Sequence, residues 1–192
     1  MAVLDWITDP ALTLDGERVR LRPPKMSDHA EWAHLRQGSR AFLQPWEPTW
    51  QSDDLTRAAF RRRLSLYQRD QDLGAGYAFF VFRKSDQTLV GGITLRNIIR
   101  GVAQTGALGY WVGQPHIRHG YASAAVEQMK RFAFRRLELH RLEAACCLDN
   151  APSRQLLLRA GFDQEGEAKG YLKINGVWRD HLLFGMVNPA ES

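Results

Sequence analysis

The chain has 192 residues, 44% hydrophobic and 24% charged, with a net charge of +5. That is ordinary globular composition with room for a substantial core, and the positive charge favours acidic or phosphorylated partners without naming one. No apolar run approaches the roughly 18 residues of a membrane span, the start "MAVLDWITDPALTLDGERV" lacks the basic flank and apolar core of a secretory leader, and two adjacent cysteines, Cys146 and Cys147, cannot form a disulfide framework, so a reducing cytoplasm is the expected setting.

"ERVRLRP" alternates and predicts a strand. "SDHAEWAHLRQ" predicts a helix with Ser27 as N-cap and Asp28 and Glu31 in its first turn. "FLQPWEPTW" is a Pro- and Trp-rich loop. "SDDLTRAAFRRRLSLYQRD" predicts a helix on the spacing of Leu55, Ala58, Ala59 and Leu66, and its Arg61-Arg62-Arg63 run reads as a solvated face or a contact to RNA or phosphate. Three strands follow in "GYAFFVFRK", "TLVGGITLRNII" and "GALGYWVG". "QPHIRHGYASAAVEQMKRF" is a basic turn running into a helix, whose apolar stripe is Ala122, Ala125, Val126, Met129, Phe132 and Ala133. "HRLEAACCL" is a strand and "NAPSRQLLLRAGF" a short helix. "EAKGYLKI" and "WRDHLLFGMV" are strands joined by Asn175-Gly176, the strongest short hairpin signal. There is no internal repeat, low-complexity tract or interdomain linker.

The turn "IRHGYAS" sits at a helix N-terminus, where four backbone N–H groups lack partners and the dipole is positive. Gly120 permits close backbone approach, Ala122 and Ser123 add little bulk, and Arg118 and His119 add positive potential. These are the features of an anion cradle for phosphate or pyrophosphate, although a plain Gly turn before a core helix has the same outline. One glycine past mid-chain is not a Rossmann fingerprint, and no P-loop or G-x-S-x-G string occurs. His116 and His119 lack the carboxylate or Cys partners of a metal site, so no metal is expected. In the second motif Asn150 caps a helix, Pro152 fits its first turn, Leu156, Leu157 and Ala160 form the buried stripe, and Gly161 suits the left-handed C-terminal position.

The order strand, basic Gly loop, helix, strand, Asn-x-x-Ser helix ending in Gly-Phe resembles the GNAT superfamily of acetyl-CoA-dependent N-acetyltransferases over about residues 16–187. "FLQPWEP" at 42–48, "LGYWVGQ" at 108–114, "RQLLLRAGF" at 154–162 and "KGYLKINGVWRDHLL" at 169–183 resemble its RimJ/RimL-type group, the RimJ branch most. The resemblance implies an α/β (α+β) fold in one domain, 1–192, with a mixed, largely antiparallel sheet of about seven strands and about four helices. RimJ-type enzymes acetylate the N-terminal alanine of a small-subunit ribosomal protein, and RimL-type relatives act on another ribosomal N-terminus. The resemblance therefore implies acetyl-CoA as co-substrate, a protein N-terminus as acceptor, and ribosome association as an open partner. It implies no direct DNA readout and no membrane, and leaves monomer or dimer open.

It also assigns roles. Ile117, Arg118, His119, Gly120, Tyr121, Ala122 and Ser123 fall where the family binds the CoA pyrophosphate, with Ile117 standing where Gln or Arg is common. Trp111 and Val112 fall where strand backbone pairs with pantetheine and a backbone N–H polarises the thioester carbonyl. Asn150 and Ser153 match the Asn-x-x-Ser beside the pantetheine sulfur, and Arg159 is a candidate for the adenosine phosphates. Two acidic positions of relatives are Ala107 and Leu172 here, which leaves Glu47 and Asp180 as acidic candidates at the acceptor end, Glu143 being a strand residue suited to pairing with an Arg.

The acceptor amine must be neutral to attack. At pH 7 that costs about 1 kcal/mol for an α-amine with a pKa of about 7.7–8.0, and about 4.6 kcal/mol for a lysine near 10.4. A weak base or water relay suffices for the first, whereas the second benefits from a tuned base. Glu47 is the expected amine binder or relayed base, flanked by Trp46 and Trp50, which either cover the acceptor groove or pin the loop to the core. Ser153, then Tyr171, is the expected proton donor to the leaving thiolate. Two alternatives stay open: a small-amine or antibiotic acetyltransferase on the same scaffold, and a basic ribosome- or RNA-associated protein with little turnover.

Overall fold

The computed structural model describes residues 12–190; the stretch read for a leader lies, through residue 11, outside them. Eight strands form one sheet: β1 (Leu14–Asp15), β2 (Val19–Arg22), β3 (Tyr77–Arg83), β4 (Leu89–Ile99), β5 (Thr105–Val112), β6 (Arg141–Cys147), β7 (Asp163–Ile174) and β8 (Val177–Val187), in spatial order β1-β2-β3-β4-β5-β6-β8-β7. Every neighbouring pair is antiparallel except β5 and β6, which run parallel. A parallel pair needs a crossover, and α4 (Tyr121–Arg131) supplies it. The remaining helices are α1 (His29–Gly38), the single turn α2 (Arg40–Leu43), α3 (Arg57–Asp72) and α5 (Ala151–Arg159). The class is the expected one, with one strand and one helix more than expected; the extra strand β1 has two residues and the extra helix α2 four.

Strand β3 shows why the middle of the chain is so apolar. Phe79 and Val81 enter the core under α4, while Phe80 and Phe82 enter a second core under α1 and α3, so both faces are buried. On the α4 face, Ala125, Val126, Met129, Phe132 and Ala133 are buried as the stripe predicts, but Ala122 is only half-buried. On the other face the contacts come from Trp32, Leu35, Phe60 and Leu64. Among the described residues no helix is long and apolar enough to cross a membrane.

Several local expectations need correction. Ser27 caps nothing: a short 3₁₀ turn (Met26–Asp28) leads into α1, and the Asp28 carboxylate accepts from Lys25 N (2.7 Å) and from both Arg22 Nη groups (2.8 and 2.7 Å). Helix α3 starts at Arg57 rather than 52, because Thr56 Oγ1 accepts from Ala59 N. Its buried residues are Phe60 and Leu64, and Leu66 is 57% exposed, so the buried face is out of phase with the expected spacing. In the arginine run, Arg61 and Arg62 are exposed, Arg62 pairs with Asp53, and Arg63 lies over the Trp32 ring. The loop 42–50 is partly helical, through α2 and a 3₁₀ turn, Gln44–Trp46. The Asn175-Gly176 turn is as expected, with φ of 45° and 84° between Ile174 and its partner Val177.

Candidate active site

The site begins where the sheet divides. β5 pairs with β4 as far as Val112, opposite Gly91, but with β6 only from Thr105–Arg141 to Leu108–Ala144. β6 continues along β8 to Cys147–His181. Residues 109–112 therefore have a ladder partner on one side only. Gly113 N donates to Val90 O (2.9 Å), and the alternation of an antiparallel ladder then turns the N–H and C=O of Val112 and Tyr110 away from β4, toward the split. Strand β4 permits this close pairing through Gly91: a Cβ there would lie 2.2 Å from the Trp111 carbonyl oxygen.

Tyr110 and Trp111 point to opposite faces. The half-buried Tyr110 packs on the α4 core, and its hydroxyl lies 2.7 Å from Ser153 Oγ in the first turn of α5. Asn150 caps that helix, its Oδ1 accepting from Ser153 N (3.2 Å). The Cys146 thiol lies near the Ser153 hydroxyl, and burial pushes its pKa up. Burial likewise pushes the Tyr110 phenol up to about 12, against the Ser153 hydrogen bond, which lowers it. Cys147 Sγ is 3.5 Å from Nε2 of the buried His181. Arg159 is exposed in the last turn of α5, at the other end of that helix from Asn150 and Ser153.

At the start of α4, Gly120 is the N-cap at φ 75° and no side chain caps the helix. Arg118 is also left-handed, at φ 63°. Uncapped N–H groups beside alternating left-handed residues form a nest for an anion. His119 stacks on Tyr121 (5.7 Å), and Ser123 and Arg118 are exposed. Arg18 also reaches this turn: its Nη1 would lie 3.1 Å from a Cβ at Gly120. Residues Ile117–Ser123 and the Asn150–Ser153 turn thus follow the two strands, β5 and β6, that diverge at the split.

On the opposite face lies the loop carrying Glu47. Its carboxylate accepts from Arg36 Nη1 (2.7 Å), Arg36 Nη2 (2.5 Å) and Trp50 Nε1 (2.8 Å). The Arg36 guanidinium, almost fully buried, lies over the Trp50 ring at 4.2 Å and the Trp111 ring at 4.8 Å. Trp50 is itself buried, and Trp46 is half-buried. The tip of the β7–β8 hairpin docks on this loop: Asn175 N donates to Glu47 O (2.8 Å) and Arg179 Nη1 to Pro45 O (3.4 Å). Arg179 also pairs with Asp149, next to the α5 cap, and holds its carboxyl below the usual range. Asp180 accepts from Gly170 N (2.7 Å) across a register shift in the hairpin, and the exposed Tyr171 stacks edge-on against His181. Glu47, Asp149 and Asp180 are thus all engaged by protein donors.

A profile described as "Acetyltransferase (GNAT) domain" matches residues 18–163. The chain belongs to the GNAT acetyltransferase family. Probable N-acetyltransferase YjcK of Bacillus subtilis (strain 168) is 35% identical over 178 residues, 93% of this chain and 98% of that protein. The [Ribosomal protein uS5]-alanine N-acetyltransferase of Escherichia coli (strain K12) is 31% identical over 180 residues, 94% of this chain and 93% of the relative. Among solved structures, the ribosomal-protein-S5-alanine acetyltransferase of Vibrio fischeri superposes with a TM-score of 0.85 at 30% identity, covering 92% of this chain and 97% of the other. Mycobacterium smegmatis RimJ, in complex with CoA-disulfide, gives 0.85 at 33%, covering 90% and 83%. This GNAT chain is therefore RimJ-like.

Sequence reasoning missed two residues of the site. Tyr110 lies in the strand motif "LGYWVGQ" and is the partner of Ser153, 43 positions away. Arg36 lies in the predicted helix "SDHAEWAHLRQ" with nothing to mark it, yet it is the centre of the Glu47 loop. Strand alternation next to Trp111 was a signal for the first; nothing in the sequence marked the second.

Proposed function

We propose that this GNAT chain acts in the cytoplasm as an acetyl-CoA-dependent N-acetyltransferase that moves acetyl directly onto a protein N-terminal α-amine, with the alanine of a ribosomal protein as acceptor. The observation that carries the reading is the split between β5 and β6: an unpaired strand edge at Tyr110 and Val112, with Ser153 beside it and the uncapped α4 N-terminus beyond. That combination fits an elongated thioester with an anionic end. The free edge accommodates an amide-bearing arm, the Val112 N–H suits the thioester carbonyl, and residues 117–123 suit the pyrophosphate. Ser153 donates a proton to the sulfur that leaves.

The α-amine assignment is supported by the engaged carboxylates. Glu47 already accepts three hydrogen bonds, and Asp149 and Asp180 are paired or bonded to backbone. A carboxylate bound this fully is a poor base for a lysine, whereas an α-amine needs only about 1 kcal/mol to be neutral at pH 7. We assign Glu47 to holding the acceptor loop through Arg36 and Trp50, with its remaining acceptor capacity open to the amine. The uS5-alanine specificity of the Escherichia coli relative supports the ribosomal acceptor. The test is acetyl-CoA turnover with Ala-starting peptides, small polyamines and aminoglycosides in parallel. Turnover confined to peptides supports the proposal, and turnover confined to small amines replaces it with the small-amine reading. No turnover with any acceptor leaves the binding-protein reading.

A further inference from the structure

We propose that Tyr110 is the positioning residue that aims the Ser153 hydroxyl at the departing sulfur. The phenol donates to Ser153 Oγ, so the serine's own proton is directed into the split between β5 and β6. The inference rests on the acetyltransferase reading above.

A serine hydroxyl has one proton and rotates to suit its surroundings, so what fixes its direction decides whether it is a donor. Here Ser153 N is taken by Asn150 Oδ1, which fixes the backbone of the first turn of α5. The hydroxyl has two side-chain neighbours, Tyr110 Oη at 2.7 Å and the Cys146 thiol. The other acceptor near the phenol is Ser153 O at 3.5 Å, a much longer contact, so Ser153 Oγ takes the Tyr110 proton. Burial keeps that proton on the phenol throughout the neutral range. With one lone pair of Oγ occupied, the serine proton faces away from Tyr110. A thiol is a weak acceptor and yields readily to a sulfur carrying negative charge.

The proton count closes. The amine nitrogen forms the C–N bond and the C–S bond breaks, its electron pair going to sulfur. Sulfur takes the Ser153 proton, and Ser153 Oγ regains through solvent the proton that the nitrogen sheds, while Tyr110 keeps its own proton and holds the hydroxyl in place. No other reactant is needed. The placement is specific to the split: Tyr110 stands two residues past Leu108, the last β5 residue paired with β6, and reaches across to α5.

The test is a double-mutant cycle of Tyr110→Phe and Ser153→Ala, read as kcat with an Ala-starting peptide, with acetyl-CoA affinity by calorimetry. Tyr110→Phe retains the ring that packs on the core. We expect Ser153→Ala to lower kcat about 10²-fold, within the usual range for a general acid, and Tyr110→Phe about tenfold or more, with affinity unchanged in both. The double variant should be no slower than Ser153→Ala alone, because Tyr110 acts only through that hydroxyl. Losses that multiply in the double variant would overturn the proposal. So would a Tyr110→Phe enzyme with wild-type kcat, or one whose acetyl-CoA affinity falls in step with kcat. If Tyr110→Phe does not fold, Ser153→Thr, which keeps the hydroxyl, should retain most of the kcat that Ser153→Ala loses, and a Thr enzyme as slow as the Ala enzyme would overturn it. Wild-type protein that turns over nothing sinks the acetyltransferase reading itself, an outcome distinct from failure of the cycle.

Discussion

Replacing Glu47 by Gln tests whether this residue frames the acceptor site or merely binds an amine. The carboxylate is fixed by three donors: Oε1 takes Arg36 Nη1, and Oε2 takes Arg36 Nη2 and Trp50 Nε1. A glutamine oxygen can replace Oε2, but its NH₂ would then face Arg36 Nη1, donor against donor. The Arg36 cation would be left with 10% of its side chain exposed and no counter-charge. Breaking a buried ion pair costs about 3–5 kcal/mol; since Glu47 keeps 20% of its side chain exposed, the low end of about 3 kcal/mol applies. At an m-value of about 2 kcal/mol/M that is a fall of about 1.5 M in the urea midpoint. The loop backbone stays tied to Asn175 and Arg179, so the fold should survive with a loosened acceptor face. We expect the KM for an Ala-starting peptide to rise about tenfold, matching the loss of a positioned contact of about 1.4 kcal/mol, while acetyl-CoA affinity holds. A raised KM without any loss of stability would make Glu47 an amine binder only. Wild-type stability with a wild-type KM would refute the framing role altogether.

Gly120→Val places a β-branched residue at φ 75°, with its Cβ 3.1 Å from Arg18 Nη1; at about 1–2 kcal/mol of strain the protein should fold, yet calorimetry should show at least a tenfold loss of acetyl-CoA affinity, and unchanged affinity would end the cradle reading. Gly91→Ala brings a Cβ to 2.2 Å from the Trp111 carbonyl, so β4 and β5 must part; urea denaturation should show a loss of about 1–3 kcal/mol, and a loss under about 0.5 kcal/mol would mean the close approach is unimportant. For pH, kcat/KM should rise as the acceptor α-amine loses its proton near about 7.7–8.0 and then level. Because burial raises the Tyr110 pKa to about 12, the phenol stays protonated below that value, so no descending limb belongs to it before about pH 10; a fall through pH 9 would contradict a donor Tyr110.

What the sequence revealed was what neighbouring residues settle among themselves. The α4 stripe, the Asn150 cap, the left-handed Gly161 at φ 89° and the Asn175-Gly176 turn depend on contacts a few residues apart, and all were legible. The phase of α3 was not, because Leu66 and Phe60 satisfy similar spacings and only the docking of Phe60 on Trp32 and Phe80 chooses between them. Ser27 caps nothing because a 3₁₀ turn, Met26–Asp28, leads into α1, and the Asp28 carboxylate is held by Lys25 N and by Arg22 from a preceding strand. At the site, motif resemblance marked Ser153 and Glu47, but their partners Tyr110 and Arg36 come from other elements. Those partners determine whether the hydroxyl is aimed and whether the carboxylate is free. Such contacts are made by the sheet's divergence and by the hairpin tip closing on the loop, and no local pattern encodes them.

The central claim is that acetyl is delivered to an N-terminal α-amine. Mass spectrometry can locate the acetyl group after incubation with acetyl-CoA and two peptides, one starting with a free Ala and one with its α-amine blocked but carrying an internal lysine. The account predicts rapid modification of the free α-amine and little of the lysine, in line with a difference of about 3.5 kcal/mol in the cost of deprotonation at equal pH. Comparable or faster acetylation of the lysine in the blocked peptide would contradict it.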